Sequence, residues 1–334
     1  MPSTTASPLM DRLGRVHTDL RVSLTDRCNL RCTYCMPEEG LAWLPKPELL
    51  TDDELVRLVA VATERLGVRT VRLTGGEPLL RRGLPGLIAR LTALPHPPEL
   101  SITTNGIGLA RSAVALREAG LRRVNVSLDT LRPERFAEIT RRDRLQDVLL
   151  GLAAAQAAGL APVKVNAVPV RGVNDDEIAG MAAFAIEHGY RMRFIESMPL
   201  DAQGAWDRGR MVTADEILER LGERFTLEPL PRSGNAPAEE WRVVGTDAVV
   251  GVIASVTRPF CGGCDRVRLT ADGQLRNCLF AATESDLRAL LRGGADDEAV
   301  EAAWRASVAG KGPGHAIDSP DFRQPDRPMS AIGG

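Results

Sequence analysis

Between residues 20 and 195, apolar positions alternate in short runs, and the longer stretches between those runs carry helical spacing. The short runs predict strands over 20–24, 69–74, 99–103, 123–128, 163–170 and 190–196. The stretches between them predict helices over 52–66, 83–94, 109–119, 145–158 and 175–188. Two helices open on cap-like signals, Thr51-Asp52-Asp53-Glu54 and Asn174-Asp175-Asp176-Glu177. Strand–helix repetition at this spacing implies parallel strands with crossover helices, hence a barrel or an open doubly wound sheet. Six such units fall short of the eight that close a full barrel.

Side chains on a strand alternate faces, so each predicted strand splits in two. Leu20, Val22 and Leu24 oppose Arg21, Ser23 and Thr25, while Val71 and Leu73 oppose Arg72 and Thr74. Leu100 and Ile102 oppose Ser101, Thr103 and Asn105. Val124, Val126 and Leu128 oppose Asn125, Ser127 and Asp129, and Val163, Val165 and Ala167 oppose Lys164 and Asn166. The apolar faces suit packing under outer helices, which leaves the polar faces toward the inside. A full eight-stranded barrel fills its interior with Val, Ile and Leu. Five polar linings therefore predict a hollow barrel that holds something polar. The plainer alternative is an antiparallel sheet with one wet face.

After Met198 the rhythm changes. Residues 204–209 read as a loop and 229–237 as a turn-rich break. A strand over 249–257, a hairpin over 267–275 around Asp272-Gly273, and helices over 284–291 and 296–307 make a second, smaller module. Residues 310–334 are rich in Gly and Pro and are expected to be extended.

The 334 residues carry a net charge of −2, so no overall basic field recruits nucleic acid or an anionic membrane, and an anion site must be built locally. No apolar stretch approaches the ~18 residues of a membrane span, and the first ten residues lack a long apolar segment. A cytoplasmic protein is expected. Its six cysteines form two groups of three, Cys28, Cys32, Cys35 and Cys261, Cys264, Cys278. A reducing compartment and a long chain argue against disulfides and for metal.

The first triad, Cys28-Asn-Leu-Arg-Cys32-Thr-Tyr-Cys35, follows the first strand, at the end where parallel α/β folds place their active sites. Thiolates bind iron–sulfur clusters, and three of them leave one iron of a four-iron cube open to a small molecule. Structural zinc would need four protein ligands. His17, His96, His188 and His315 show no ligand-like spacing, although His17 could fold near a triad. The Cys-x3-Cys-x2-Cys spacing resembles the signature of the radical S-adenosylmethionine (SAM) superfamily. Gly75-Gly76-Glu77-Pro78 after the second strand matches that superfamily's turn, where the backbone and Glu77 are expected to receive the methionine end of SAM. The second triad has a redox Cys-x-x-Cys as its rival, but that reading leaves Cys278 unexplained.

Further segments resemble one family within that superfamily, the MoaA-type GTP 3′,8-cyclases. They are Asn125-Val-Ser-Leu-Asp-Thr-Leu131, Lys164-Val-Asn-Ala-Val-Pro-Val170, Arg193-Phe-Ile-Glu-Ser-Met-Pro199, Cys261-Gly-Gly-Cys-Asp-Arg-Val-Arg268 and Met329-Ser-Ala-Ile-Gly-Gly334. The resemblance implies an α/β fold: an incomplete (β/α)6 barrel over 15–200, with a smaller C-terminal α+β domain over 201–334. It implies two [4Fe-4S] clusters, on Cys28, Cys32 and Cys35 and on Cys261, Cys264 and Cys278. SAM would be held by Tyr34, Gly76, Ser127 and Met198. GTP would be held by Arg21, Arg72, Thr103, Lys164 and the Arg266, Val267, Arg268 run. Five of these, Arg21, Arg72, Thr103, Ser127 and Lys164, fall on the polar faces assigned above without the family.

No side chain is given a catalytic role beyond the cluster and SAM. An electron from the first cluster would split SAM, the resulting radical would take hydrogen from C3′ of GTP, and C3′ would join C8. The product would be (8S)-3′,8-cyclo-7,8-dihydroguanosine 5′-triphosphate, the first step toward the molybdenum cofactor. The second cluster would bind guanine, and the Gly-Gly tail would enter the active site. Gly310-Lys311-Gly312 lacks the rest of a Walker A loop, so Arg and Lys would carry the triphosphate. An electron donor and hand-off to cyclic pyranopterin monophosphate synthase are implied as partners, and a homodimer is left open. The alternative is another radical SAM enzyme with an auxiliary cluster, acting on a peptide.

Overall fold

The computed structural model describes residues 7–319 and 321–333. Its first half runs β1 (Asp19–Ser23), α1 (Asp52–Glu64), β2 (Thr70–Thr74), α2 (Leu84–Thr92), β3 (Glu99–Thr104) and α3 (Leu109–Glu118). It continues through β4 (Arg123–Ser127), α4 (Pro133–Thr140), α5 (Leu145–Ala157), β5 (Val163–Ala167), α6 (Ile178–Glu187) and β6 (Arg191–Ile195). Each strand is parallel to the next, which removes the antiparallel alternative. Leu20, Val22, Val71, Leu73, Leu100, Ile102, Val124 and Val126 lie in one core with Leu55, Leu58, Leu87, Ile88 and Leu116 of the helices. Each such side chain contributes about 1.5–3 kcal/mol by leaving water. The outer faces thus hold the barrel together, and the inner faces are free to be polar.

The second half contains α7 (Ala214–Gly222), β7 (Leu227–Pro229), β8 (Glu239–Val243), β9 (Val249–Ile253), β10 (Arg266–Leu269), β11 (Gln274–Arg276) and β12 (Ser285–Asp286). Helices α8 (Leu287–Arg292), α9 (Asp297–Ala309) and the single turn α10 (Met329–Ile332) complete it. Its strands extend the first sheet at both edges and form no sheet of their own. β10 pairs parallel with β1, and β9 pairs parallel with β6. The antiparallel runs β10–β11–β12 and β9–β8–β7 continue outward. Side chains from β10, β1, β2, β3, β5 and β6 line one cavity, so the sheet curls around a lumen.

The sequence boundaries hold to within a few residues, and the departures have local causes. β5 stops at Ala167 because the Val168 amide donates to Asp129 Oδ1 (2.9 Å) and the Val170 amide to Asn174 Oδ1 (2.7 Å). The expected cap at Asn174 is corrected: its amide group instead donates to the Asp129 and Val168 carbonyls, and it does not cap the helix. The expected cap at Thr51 forms as a full capping box. Helix α7 was not predicted, although Thr213 and Glu216 carry the same box. Helix α4, also unpredicted, opens on Pro133, which suits a first turn. The helix expected over 284–291 begins only at Leu287, capped by the Asp286 side chain. The extended stretch expected at the end is broken by α10 after Pro328.

Candidate active site

The first triad sits on the loop after β1. The Cys35 and Met36 amides donate to the Cys32 carbonyl, turning the chain so that Cys32 and Cys35 each lie near enough to Cys28 to feel its charge. Burial pushes all three thiols up, and each also feels a neighbouring sulfur or carboxylate. Cys35 is pushed up to about 12, by burial first and then by Cys28. Three thiols crowded in a dry place resist ionising unless positive charge arrives, and the irons of a cluster supply it. Among the described residues, no three His, Cys, Asp or Glu side chains close around a single ion. Neither triad gains a histidine, because the His17 ring is held by Asp11 and Lys311 and the His315 ring by the Ser255 carbonyl. All six cysteines are free thiols. Three thiols without a fourth ligand fit a cube with one open iron and not structural zinc.

The Gly-Gly-Glu-Pro turn packs against the segment that leads into this triad. The Gly76 amide donates to the Thr25 carbonyl and the Glu77 amide to the Arg27 carbonyl, both at 2.7 Å. A Cβ at Gly76 would overlap the Asp26 and Arg27 carbonyls, so only glycine permits this approach. Glu77 is a correction. It is fully buried, and its carboxylate accepts from the Leu79 and Asn105 amides and the Thr104 hydroxyl. It braces the turn and is not presented to a ligand, and burial raises it to about 7. Tyr34 donates to Asp129 Oδ2 (2.7 Å), whose other oxygen receives the Val168 amide. Tyr34 and Asp129 border one cavity, shared with Val170, Asn174 and Trp206, while Met198 borders the lumen.

Parallel register stacks the lumen's cations. Arg21 lies beside Arg72 of β2 and Arg268 of β10, while Arg266 pairs with Asp19. Arg21, Arg72, Thr103, Arg266 and Arg268 line the cavity together with all three cysteines of the second triad. Lys164 faces the same charges: burial, then Arg193, Arg123 and Arg72, lower it to about 7. Arg21 is lowered to about 9 by burial and then by Arg72, and Arg268 to about 9 by burial and then by Arg21. Among the described residues, Arg21 Nε, Arg72 Nε, Arg193 Nε and Arg266 Nη2 are buried without a hydrogen-bond partner. Buried, mutually repelling donors of this kind call for a polyanion.

Val267 points the other way, fully buried in the core, so only its backbone is available to the lumen. Ser127 does not border the lumen cavity itself but pairs in register with Asn166, which does. Asn166 thus lies on the inward polar face expected of it, whereas Arg193 was given no role. Extending the period-two rule to β6, where Met192 and Phe194 are buried, would have exposed Arg193. The end of the chain enters between the triads. The Ser330 amide lies near enough to Cys35 to favour its thiolate, and Arg268 Nη1 donates to the Gly333 carbonyl at 2.5 Å. Gly333 lies tight against Thr74 and Ser23. The last glycine of the expected tail, Gly334, lies outside the described residues.

The second triad differs electrically from the first. Burial acts to raise Cys264, but Arg266 and Lys311 outweigh it and bring Cys264 down to about 7. Arg266 Nε donates to Cys264 Sγ at 3.4 Å, and its guanidinium lies 4.6 Å from the Phe260 ring centre.

Comparison with known proteins agrees over the whole chain. Residues 22–185 match the Radical SAM superfamily, and residues 190–317 match the family described as Molybdenum Cofactor Synthesis C. The chain is 63% identical over 331 residues to the GTP 3′,8-cyclase of Streptomyces coelicolor, covering 98% of this chain and 97% of that protein. It is 58% identical over 335 residues to GTP 3′,8-cyclase 2 of Mycobacterium tuberculosis, covering 99% and 93%. In fold it is similar to Streptococcus suis SuiB, solved bound to S-adenosylmethionine. That match has a TM-score of 0.60 at 18% identity, over 85% of this chain and 67% of the other.

Proposed function

The chain belongs to the GTP 3′,8-cyclase family of the radical SAM superfamily, and from that premise we propose that the curled sheet holds GTP between two thiol triads. The activity is conversion of GTP to (8S)-3′,8-cyclo-7,8-dihydroguanosine 5′-triphosphate, the first step of molybdenum cofactor biosynthesis. SAM and two [4Fe-4S] clusters are its cofactors. The full-length relatives decide against the peptide-modifying alternative.

The observation that carries the site proposal is the stack of buried arginines with unpartnered donors on β1, β2, β6 and β10. In this reading Arg21, Arg72, Lys164 and the Arg266–Arg268 run hold the triphosphate and ribose, with Thr103 beside them. Cys261, Cys264 and Cys278 would hold one cluster at the wall of the GTP cavity, and Cys28, Cys32 and Cys35 would hold the other. Bound there, the first cluster and SAM supply the one-electron chemistry that removes hydrogen from the ribose. Tyr34, Gly76, Ser127 and Met198 hold SAM, and Asp129 fixes the Tyr34 ring through its hydroxyl. The walls keep water and oxidants out, while the cations bind GTP before and during reaction alike.

In this reading the barrel spans 15–200 and the cluster-bearing remainder 201–334. An electron donor and a consuming cyclic pyranopterin monophosphate synthase complete the setting, in the cytoplasm. Among the described residues, no helix is long and apolar enough to cross a membrane. Anaerobic turnover with SAM, reductant and GTP tests the proposal. The product should be an isomer of GTP, since one hydrogen leaves C3′ and one returns as electron plus proton, with one 5′-deoxyadenosine formed per turnover. Full turnover by Arg21→Ala and Arg72→Ala at low GTP would overturn the assignment of the site.

A further inference from the structure

Behind the second triad, on the side away from the lumen, lies a buried cluster of charges that the proposed reaction does not use. The N-terminal hairpin, bridged between Met10 and Val16, brings Asp11, Arg15 and His17 against the segment around Lys311. His17 is fully buried, and Asp11 and Lys311 are each 5% exposed. Arg15 Nε donates to Asp11 Oδ2 at 2.5 Å, and its other nitrogens donate to the Cys261 carbonyl (2.8 Å) and the Gly312 carbonyl (2.7 Å). His17 Nε2 faces Asp11 Oδ2 at 3.2 Å, and its Nδ1 faces Lys311 Nζ at 3.5 Å. A neutral ring with its proton on Nε2 satisfies both contacts, donating to the carboxylate and accepting from the ammonium. Lys311 Nζ also reaches the Arg266 carbonyl (2.7 Å), the Cys264 carbonyl (3.4 Å) and Cys264 Sγ (3.4 Å).

We propose that Lys311 is a positioning residue of the second iron–sulfur centre, whose ammonium donates to Cys264 Sγ, fixes that ligand and raises the reduction potential of the centre. The proposal rests on reading Cys261, Cys264 and Cys278 as the ligand set. A hydrogen bond from a buried cation withdraws charge from a thiolate ligand and so favours the more negative, reduced cluster. The first triad is built otherwise. Among the described residues, its sulfurs accept only from neutral donors, the Leu30 amide and the Asn105 side chain, both at Cys28. Lys311 does not border the cavity that holds Arg266, so it acts on the sulfur from the protein side. The hairpin of residues 10–16 thereby gains a function: through Asp11 and His17 it holds the ammonium in place.

The test is anaerobic redox titration of the reconstituted protein, followed by electron paramagnetic resonance. Wild type should hold about eight irons per chain and show two reductions. Cys278→Ala should remove one, which identifies the second centre. Lys311→Met, which keeps the length and loses the donor, should shift that reduction to lower potential and leave the other in place. Lys311→Arg, which keeps the charge and a donor, should shift it less, and Lys311→Gln, which loses the charge, carries the test if the methionine form does not fold. An unmoved second potential in the folded charge-free variant, or a shift in Lys311→Arg as large as in that variant, with iron content intact, overturns the role of Lys311. A wild type that binds only four irons overturns the ligand reading beneath it.

Discussion

Arg266 joins three environments in one side chain: Nε at a cysteine sulfur, the guanidinium face on Phe260, and Nη2 buried without a partner among the described residues. Only an incoming acceptor completes it. A hydrogen bond to a charged group is worth about 1.5–3 kcal/mol. Arg266→Ala is therefore expected to weaken GTP binding roughly ten- to a hundredfold by anaerobic equilibrium dialysis, and unchanged affinity would contradict the site. Its neighbour Val267 shows why a motif is not a contact list, since one step along the strand reverses the side chain into the core. Glu77 teaches the same lesson, because its charge in a conspicuous turn serves the turn's own amides.

At the scale of elements, α1 is held at its start by Thr51 and Glu54, and Arg292 of α8 closes on the same carboxylate. The Arg292 hydrogen bond, with that of Thr51, lowers Glu54 to about 2 from its usual 4.5, against the effect of burial. A carboxylate lowered in the folded state contributes stability above pH 4.5 and loses it as pH falls through about 2. Urea unfolding of the metal-free chain across that window should show a smaller loss for Glu54→Gln than for the parent. Identical pH slopes would rule the linkage out. Thr213 and Glu216 build the same box on α7, legible in the sequence yet hidden there by the surrounding loops.

For the molecule as a whole, the decisive contacts are those of β10 on β1 and β9 on β6. They cover both open edges of the six-stranded array and bring the second triad over the lumen. A chain ending at residue 196 would expose two long parallel edges, which are templates for association. It is expected to aggregate by light scattering where the full chain stays monodisperse. A folded, monomeric fragment would show instead that the array stands alone. The same wrapping draws the chain's end inward, so that Arg268 meets Gly333 and Cys35 meets Ser330.

The six parallel strands, five of the helices between them, the polar inner faces and both cysteine triads follow from the sequence by itself, because alternation and ligand spacing are local properties of neighbouring residues. Tertiary structure alone decided that β9 and β10 complete the sheet, that Glu77 turns inward, and that Lys311 reaches Cys264 across 47 positions of chain. Those outcomes depend on which distant segments share a buried space, where an unpaired charge must find its partner wherever the fold has brought one.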